Sequence, residues 1–280
     1  MAETDELLTS LDLAAPRAHE GDDDAIAPEP PGLSRRAGLI VPALTLAGWE
    51  LAVRVGALPA HWLPAPSAIV RTLATLASGG VLRDHVLATL GRVAAGFALG
   101  VAAATGVGLV IGRTRTARVL FDPSLQALRS IPSLAWVPLF MLWFGIHEGS
   151  KIALIAVGVF FPVYLNLTAG LAAIDPKWVE VARIYNYRGL TLARRVLLPA
   201  TLPFYLAGLR GGLSLGWMFV VAAELMGASR GLGYMMIDGQ STSRPDLIMG
   251  ALILFAVLGK GTDAVLARLA AHAEPHALGG

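Results

Sequence analysis

The residue types that usually carry covalent or metal chemistry are few and scattered in this chain. Its 280 residues include no cysteine, which excludes a thiolate nucleophile, a disulfide framework and a cysteine-based metal site. The six histidines form no ligand cluster, because Pro275 interrupts the one helical spacing, between His272 and His276. The nearest approach to a phosphate-binding loop is Gly259-Lys260-Gly261, but Leu254 replaces the first glycine and no hydroxyl follows the lysine. The sequence therefore predicts no catalytic residue, metal site or cofactor, and no ATP hydrolysis by this chain itself.

Ionisable residues inside long apolar stretches are a stronger chemical signal. They are Glu50, Arg54, Arg92, Arg210 and Glu224. Glu50 and Arg54 are one helical turn apart and are expected to pair locally. Arg210 and Glu224 are separated by about 21 Å along a helix, so they cannot pair within it. Each must face the helix bundle, another subunit or an interface, although Arg210 is also close enough to one end of its stretch to snorkel.

A polar segment, residues 173–202, has the pattern of two short helices joined by a sharp turn. Asp175 is a suitable N-cap and is followed by Pro176, which suits a first helical turn. Asn186 and Gly189 both tolerate positive φ and allow the turn. A second helix is expected from Leu190 to Leu198.

One face of the first short helix is apolar. Trp178, Val181, Ala182 and Tyr185 follow one another at i, i+3, i+4 and i+7. The second helix is expected to place Leu190, Ala193 and Leu197 on one side. Since an apolar stripe with no evident partner in the chain is typical of a protein contact, this segment is predicted to dock another protein.

The elements that position these residues are predicted to be transmembrane helices. The AVILMFWYC set makes up 55% of the chain and charged residues only 15%, against about 25% charged in soluble domains. Six stretches come close to the roughly 20 apolar residues that a membrane span needs: 37–56, 91–112, 127–146, 151–172, 203–224 and 247–267. The third contains Pro132 and Pro138, so we expect it to be kinked or broken. The predicted fold class is an all-α membrane protein, a six-helix transmembrane bundle.

Two local patterns predict how these elements pack and begin. Small residues at spacings of four, Gly96, Gly100, Ala104, Gly108 and Gly112, are expected to pack the second stretch against another helix of the bundle. An amphipathic helix is expected after Leu63-Pro64-Ala65-Pro66-Ser67, with Ser67 as its N-cap.

The net charge of +2 combines two different regions. Residues 1–36 carry a net charge of −6 and several prolines, which predicts a disordered acidic tail, whereas the remainder carries +8. With the N-terminus inside, fourteen Lys and Arg residues fall in inner segments and five in outer ones, so the positive-inside rule predicts that both termini are cytoplasmic. We therefore expect a cytoplasmic tail at 1–36, a transmembrane domain at 37–270 with a cytoplasmic loop at 173–202, and a C-terminal cytoplasmic tail at 271–280. The basic residues serve topology, so no nucleic-acid partner is predicted.

The loop resembles the Glu-Ala-Ala signature of ABC importer permeases. Glu180, Ala182 and Leu198-Pro199 match that signature in type and spacing, whereas Val181 replaces an alanine and Asn186 stands in place of a glycine. The resemblance extends over about residues 45–267. In this range the chain is similar to one branch of the family, the permeases of aliphatic-sulfonate, taurine and nitrate importers. The resemblance includes Trp49-Glu50, Leu63-Pro64-Ala65-Pro66-Ser67, Leu128-Arg129-x-Ile131-Pro132, Trp143-Phe144-Gly145, Phe161-Pro162, Gly208-Leu209-Arg210, Ala223-Glu224 and Gly231-Leu232-Gly233.

This resemblance implies a type I importer in the cell inner (plasma) membrane. Two copies of the chain would form the pathway in the lipid bilayer, two ATP-binding subunits would dock on the loops, and an external or periplasmic binding protein would deliver a small oxyanion. In this branch the expected substrate is an aliphatic sulfonate, with taurine, nitrate or another small organic anion as alternatives. The docking residues implied are Trp178, Glu180, Val181, Ala182, Arg183, Tyr185, Asn186, Gly189, Leu198 and Pro199. ATP-driven movement of the docked loops would switch the bundle between two states.

Five polar residues are candidates for the pathway or its gate: Arg129, Asn166, Thr168, Ser214 and Glu224. Asn166, Thr168 and Ser214 have interhelical hydrogen bonding as their alternative role. Arg129 is suited either to attract an anion or to anchor the chain on the inner side. Glu224 precedes a glycine-rich stretch that is suited to a gate.

Two other functions remain open from the residues. An ion-coupled secondary transporter of small anions would need buried acids or paired broken helices, but the candidate acids Glu50 and Glu224 are near span ends and no inverted repeat is evident. A membrane scaffold without transport would leave the elaborated loop at 173–202 unexplained.

Overall fold

The computed structural model describes residues 40–112, 115–132 and 135–277, so the predicted tail at 1–36 and residues 278–280 lie outside the described part. Residues 40–49 are the described part of one compact unit, and the described residues from Glu50 onward belong to a second. The described residues form helices without strands. The helices are α1 (Ile40–Arg54), α2 (Pro66–Ser78), α3 (Val81–Gly112), α4 (Arg115–Arg129), α5 (Trp136–Phe144), α6 (Glu148–Ala173), α7 (Pro176–Ile184), α8 (Gly189–Leu192), α9 (Leu198–Ala200), α10 (Leu202–Leu225), α11 (Leu232–Ser241) and α12 (Pro245–Ala277).

Four of these helices are long and apolar enough to cross a membrane. They are α3, α6, α10 and the Pro245–His272 part of α12, and they contain the predicted stretches 91–112, 151–172, 203–224 and 247–267. The predicted stretch 127–146 is broken, since α4 ends at Arg129 and α5 begins at Trp136, with Pro132 between them. The described part of the first stretch, α1, has 15 residues.

The core is built by α3, α6 and α10. Val93, Ala104, Ile155, Val159 and Val220 are among its buried residues. The small residues of α3 pack as predicted: Gly112 is half-buried and the other four are buried. The glycines among them face α6, and an added Cβ on Gly100 would lie 2.6 Å from the carbonyl oxygen of Ala156. Close approach of two backbones is what glycine allows at such a position.

A matched pair of glycines tests this contact. We expect Gly100→Ala to destabilise the helix pair by about 1–3 kcal/mol, because the added methyl group overpacks the α3–α6 interface. Gly106 is on the exposed face of α3, and an added Cβ there would meet no neighbouring atom within 4 Å, so Gly106→Ala is expected to be neutral or slightly stabilising. Thermal unfolding of the detergent-solubilised protein measures both variants, and equal melting temperatures would contradict the packing assignment.

The amphipathic helix α2 forms where the sequence predicts, but its N-cap differs. Ala65 is the N-cap and makes no side-chain cap, with Pro66 in the first turn. The prediction of Ser67 as N-cap is wrong: its N–H and Oγ donate to the Glu50 carboxylate at 3.0 and 2.8 Å. The same carboxylate accepts from Arg54 Nε at 2.7 Å, which confirms the predicted local pair.

The segment after α6 has the predicted helix–turn–helix form. The Asp175 carboxylate accepts from the N–H of Lys177 and caps α7. Asn186 and Gly189 adopt φ values of 59° and 54°, which confirms the sharp turn. The expected second helix is present but irregular, with α8, a π-helical turn at Ala193–Leu197, and α9 in succession.

Candidate functional site

Helix α7 presents two different faces. Its inner face packs Ala182 and the half-buried Val179 against Leu192 and Leu197 of the following turn. Its outer face leaves four large apolar side chains exposed: Trp178 (68%), Val181 (46%), Ile184 (79%) and Tyr185 (71%). We call these four residues the α7 outer face.

The predicted docking residues are therefore divided between surface and interior. Ala182 is buried in the loop, whereas Glu180, Arg183 and Asn186 are exposed beside the α7 outer face. Leu198, Pro199 and Gly189 are half-buried. The predicted grouping of Leu190 with Ala193 and Leu197 is wrong, because Leu190 is exposed and the other two are buried. Sequence periodicity missed Ile184 as a member of the exposed face.

A cleft of about 670 Å³ lies beside α7. Glu180, Arg183 and Arg188 line it together with apolar residues of the loop. Gly112 and Leu171, near the ends of α3 and α6, complete its wall. The loop therefore combines an exposed apolar face with a charged cleft that reaches the ends of two core helices.

The predicted pathway residues lie on three different helices. The side chains of Asn166, Thr168 and Ser214 donate hydrogen bonds to carbonyl oxygens of their own helices, those of Pro162, Tyr164 and Arg210 respectively. These three bonds are therefore intrahelical rather than interhelical. Arg129 and Thr168 line one small cleft, together with Asp122 and Tyr164, whose hydroxyl donates to Asp122 at 2.6 Å.

Glu224 belongs to a buried charged cluster. The Arg92 guanidinium donates from Nη1 to Glu224 at 2.7 Å and forms two further bonds, at 2.6 and 2.7 Å, with Glu148. Thr89 also donates to Glu224, at 2.8 Å. Arg92 and Glu224 are 3% and 1% exposed, so this is an ion pair of the protein interior. We call Thr89, Arg92, Glu148 and Glu224 the Arg92 cluster.

The Arg92 cluster also holds the segment that leads into α11. The N–H groups of Leu232 and Gly233 donate to Thr89 and Glu224, and Arg92 donates to the carbonyl of Arg230. Gly231 has a φ of 126°, and a Cβ there would lie 2.6 Å from both Arg92 and Glu224. Glu148 begins α6 and Glu224 is next to the end of α10, so the cluster lies at the end of the bundle opposite the loop at 173–202.

A second charged group lies on the exposed side of α10 and α12. Arg210 donates from Nε and Nη2 to the Asp263 carboxylate at 3.0 and 3.2 Å, and Lys260 Nζ is 3.8 Å from Asp263. The Arg210 and Lys260 side chains are 50% and 82% exposed in the single chain. We call these three residues the Arg210 triad. Charged residues facing lipid at the centre of a span cost about 2.5–3.5 kcal/mol each, so their surroundings in the membrane need an explanation.

Comparison with known proteins decides the family. The family model for the binding-protein-dependent transport system inner membrane component matches residues 96–276. This range begins about halfway along α3 and includes α6, α7, α10 and nearly all of α12, together with both charged clusters except Thr89 and Arg92. The chain belongs to this family. It is a transport permease of the membrane, and this membership favours an importer component over the ion-coupled secondary transporter.

Several relatives of the permease are similar over most of their length. One, named as an aliphatic sulfonates transport permease of Bacillus subtilis strain 168, is 42% identical over 81% of this chain and 82% of its own. A protein of the same name from Escherichia coli strain K12 is 38% identical over 82% and 88% of the two chains. The taurine transport system permease of that organism is 32% identical over 81% and 85%.

Sequence reasoning missed most members of the two charged clusters of the permease. Arg92 was visible as a charge inside an apolar stretch, but its partners Glu148 and Glu224 are 56 and 132 residues away. Lys260 and Asp263 interrupt the apolar run towards the end of the last stretch, but nothing in the sequence indicates that they meet Arg210. The one available signal was that a charge inside the membrane needs a partner. This predicts that Arg92 contacts an acidic residue, but it does not indicate which one.

Proposed function

We propose that the permease forms, as a homodimer, the translocation pathway of an ATP-driven importer for aliphatic sulfonates. The exposed α7 outer face beside a charged cleft carries this proposal, because it offers a surface for an ATP-hydrolysing subunit on a permease that has no phosphate-binding motif in its own sequence. The names of the relatives favour a sulfonate, with taurine as one such compound. Nitrate and other small organic anions are the competing substrates.

In this proposal the pathway crosses the membrane with six segments. Besides the four long helices, the count of six includes α1 as one segment and the broken pair α4 and α5 as another. Arginine and lysine residues concentrate in the segments that follow α3 and α6, which supports an inner location for the 173–202 loop and for both termini. The protein is then a multi-pass component of the cell inner membrane.

Coupling in the proposed importer passes through α7. Two ATP-binding subunits bind the two copies of the loop, and the docking contacts comprise Trp178, Val181, Tyr185 and Ile184, bordered by Glu180 and Arg183. Ala182, Leu198 and Pro199 hold the loop in shape from inside, and Asn186 and Gly189 set its turn. Movement of this stiff loop relative to α3 and α6 is suited to switch the bundle between outward-facing and inward-facing states.

An uptake experiment tests the proposal. The permease is reconstituted in proteoliposomes with its ATP-binding subunits and its external binding protein, and uptake of labelled ethanesulfonate is measured. We expect uptake that requires ATP and the binding protein, and that excess taurine reduces more than excess nitrate does. Uptake driven by an ion gradient without ATP would contradict the importer, and uptake of nitrate but not of ethanesulfonate would contradict the substrate class.

A further inference from the structure

The Arg210 triad has a net charge of +1 and lies on the exposed side of two apolar helices. Arg210 is about 12 Å along α10 from Leu202, the end next to the loop, and Asp263 is about 14 Å along α12 from His272. Since α10 is about 36 Å long, a hydrocarbon layer of about 30 Å centred on it would place Arg210 about 9 Å inside the layer, with Asp263 bound to it at a similar depth. The triad is thus an ionic group at membrane depth whose side chains are open on the surface of the single chain.

The neighbours of the triad on α10 are also exposed. Ser214 lies one turn beyond Arg210 and Met218 one turn beyond Ser214, and both are exposed. Across the helix pair, the indole N–H of Trp217 donates to Thr262 at 2.9 Å, which fixes α12 against α10 beside the triad. The charged side chains therefore project from a rigid helix pair rather than from a mobile loop.

Asp263 neutralises only part of the positive charge. Its carboxylate accepts hydrogen bonds from Nε and Nη2 of Arg210, whereas Nη1 of Arg210 has no hydrogen-bond partner among the described residues. Lys260 is 3.8 Å from Asp263, at the edge of contact, with its ammonium exposed. The free guanidinium and ammonium donors are therefore available to the oxygens of an anion. Hydrogen bonds from such charged donors to oxyanions are stronger than hydrogen bonds between neutral groups.

From this geometry we infer that the Arg210 triad faces a water-filled part of the translocation pathway and binds the transported anion in transit, with Arg210 and Lys260 as its donors. The inference rests on the proposed function and extends it, since it names a site for the oxyanion group within the permease. Water on this face also removes the cost of exposing charges to lipid. Asp263 holds the Arg210 side chain in place and keeps the net attraction modest, so that the anion can leave.

The native sequence contains no cysteine, which makes thiol accessibility a direct test. Single variants Ser214→Cys and Met218→Cys are made in the full permease together with its partner subunits, in inside-out membrane vesicles. Each is treated with sulfonatoethyl methanethiosulfonate, an anionic aliphatic sulfonate, and with the cationic trimethylammonium analogue. Leu99→Cys, on an exposed apolar part of α3, is the control in the same membranes.

We expect Ser214→Cys and Met218→Cys to react and Leu99→Cys to remain unmodified. Each reagent's rate constant is first divided by its rate constant with a free thiol in solution. At Ser214→Cys we expect the normalised rate of the anionic reagent to be about tenfold higher than that of the cationic one, because a local positive potential favours the anion. Adding Lys260→Gln removes most of this preference, whereas Lys260→Arg retains it.

Three results would overturn the inference. Lack of reaction at both α10 positions would place this face in lipid or in a sealed subunit contact, and reaction at Ser214→Cys alone would indicate that Arg210 snorkels to the membrane surface. Equal rates for the two reagents would exclude an anion site even in water. Because none of these readouts depends on ATP or on the identity of the substrate, they are separate from a failure of the uptake experiment.

Discussion

Replacement of Glu224 by alanine is expected to destabilise the permease by about 3–5 kcal/mol, because it leaves the buried Arg92 guanidinium without its interior partner. The same substitution removes the acceptor for Thr89 and for the N–H of Gly233. Three buried donors would then have lost a bond at one place. We expect most of the protein to be lost as aggregate, and a lower melting temperature for the remainder in detergent.

Glu148→Ala is the matched control for this effect. Glu148 accepts two hydrogen bonds from the same guanidinium, but its side chain is half exposed, so water can replace it. We expect a loss of about 1 kcal/mol, as for other partly exposed ion pairs. Equal effects of Glu148→Ala and Glu224→Ala would show that burial is not what makes the Glu224 pair important.

A double variant separates the ion pair from simple packing. Arg92→Met with Glu224→Leu removes both charges and leaves apolar groups of similar length. We expect this variant to be more stable than either single replacement, since a buried charge is costly mainly when its partner alone is removed. If the loss of stability in the double variant equalled the sum of the losses in the two single variants, the pairing would be contradicted.

The cluster also gives a physical meaning to the predicted gate at Glu224, which stays a prediction. Arg92, Glu148 and Glu224 join α3, α6 and α10, and their bonds to residues 230–233 fix the start of α11. A gate at this end of the bundle would have to break or move these bonds. Because these bonds are buried, they are costly to break. In the proposed importer, the free energy for such a movement would come from the docked ATP-binding subunits.

The sequence predicted the local features of this fold well. Asp175, Pro176, Asn186 and Gly189 act through the backbone of their own segment, and each behaves as its type suggests. The small residues of α3 likewise identify a packing face from spacing alone. These predictions succeed because the physical cause lies within a few residues of the signal.

Features that depend on distant partners could not be predicted in the same way. Ser67 is of a residue type that commonly caps helices, but its hydroxyl donates a hydrogen bond to Glu50, 17 residues earlier. Arg210 gave no indication of Asp263, 53 residues later, because spacing along the chain says nothing about which exposed faces of two helices meet. The predicted apolar face included Ala182 and not Ile184. In the structure Ala182 is buried against the rest of the loop, and Ile184 is exposed with Trp178 and Tyr185, because spacing alone does not show which side of the helix packs inward.

The largest functional effect is expected at the α7 outer face. The double variant Trp178→Asp with Tyr185→Asp places two carboxylates where two large aromatic side chains are now exposed. Aromatic residues at the centre of an interface often contribute 2 kcal/mol or more each, so we expect affinity for the ATP-binding subunit to fall by about 100-fold or more. Co-purification and ATP-dependent uptake would both be lost.

Both changed residues are on the surface, so the fold of the permease should survive. The buried neighbour Ala182 is unsuitable for this test, because a charge there would disrupt the packing of the loop on Leu192 and Leu197. Thr191→Asp is the matched control: Thr191 is an exposed residue of α8 outside the predicted docking set, and the variant is expected to bind the ATP-binding subunit normally. Unchanged co-purification of the Trp178→Asp, Tyr185→Asp variant would place the docking surface elsewhere. Since melting temperatures of all three proteins should agree, a loss of binding in the double variant alone assigns docking to the α7 outer face.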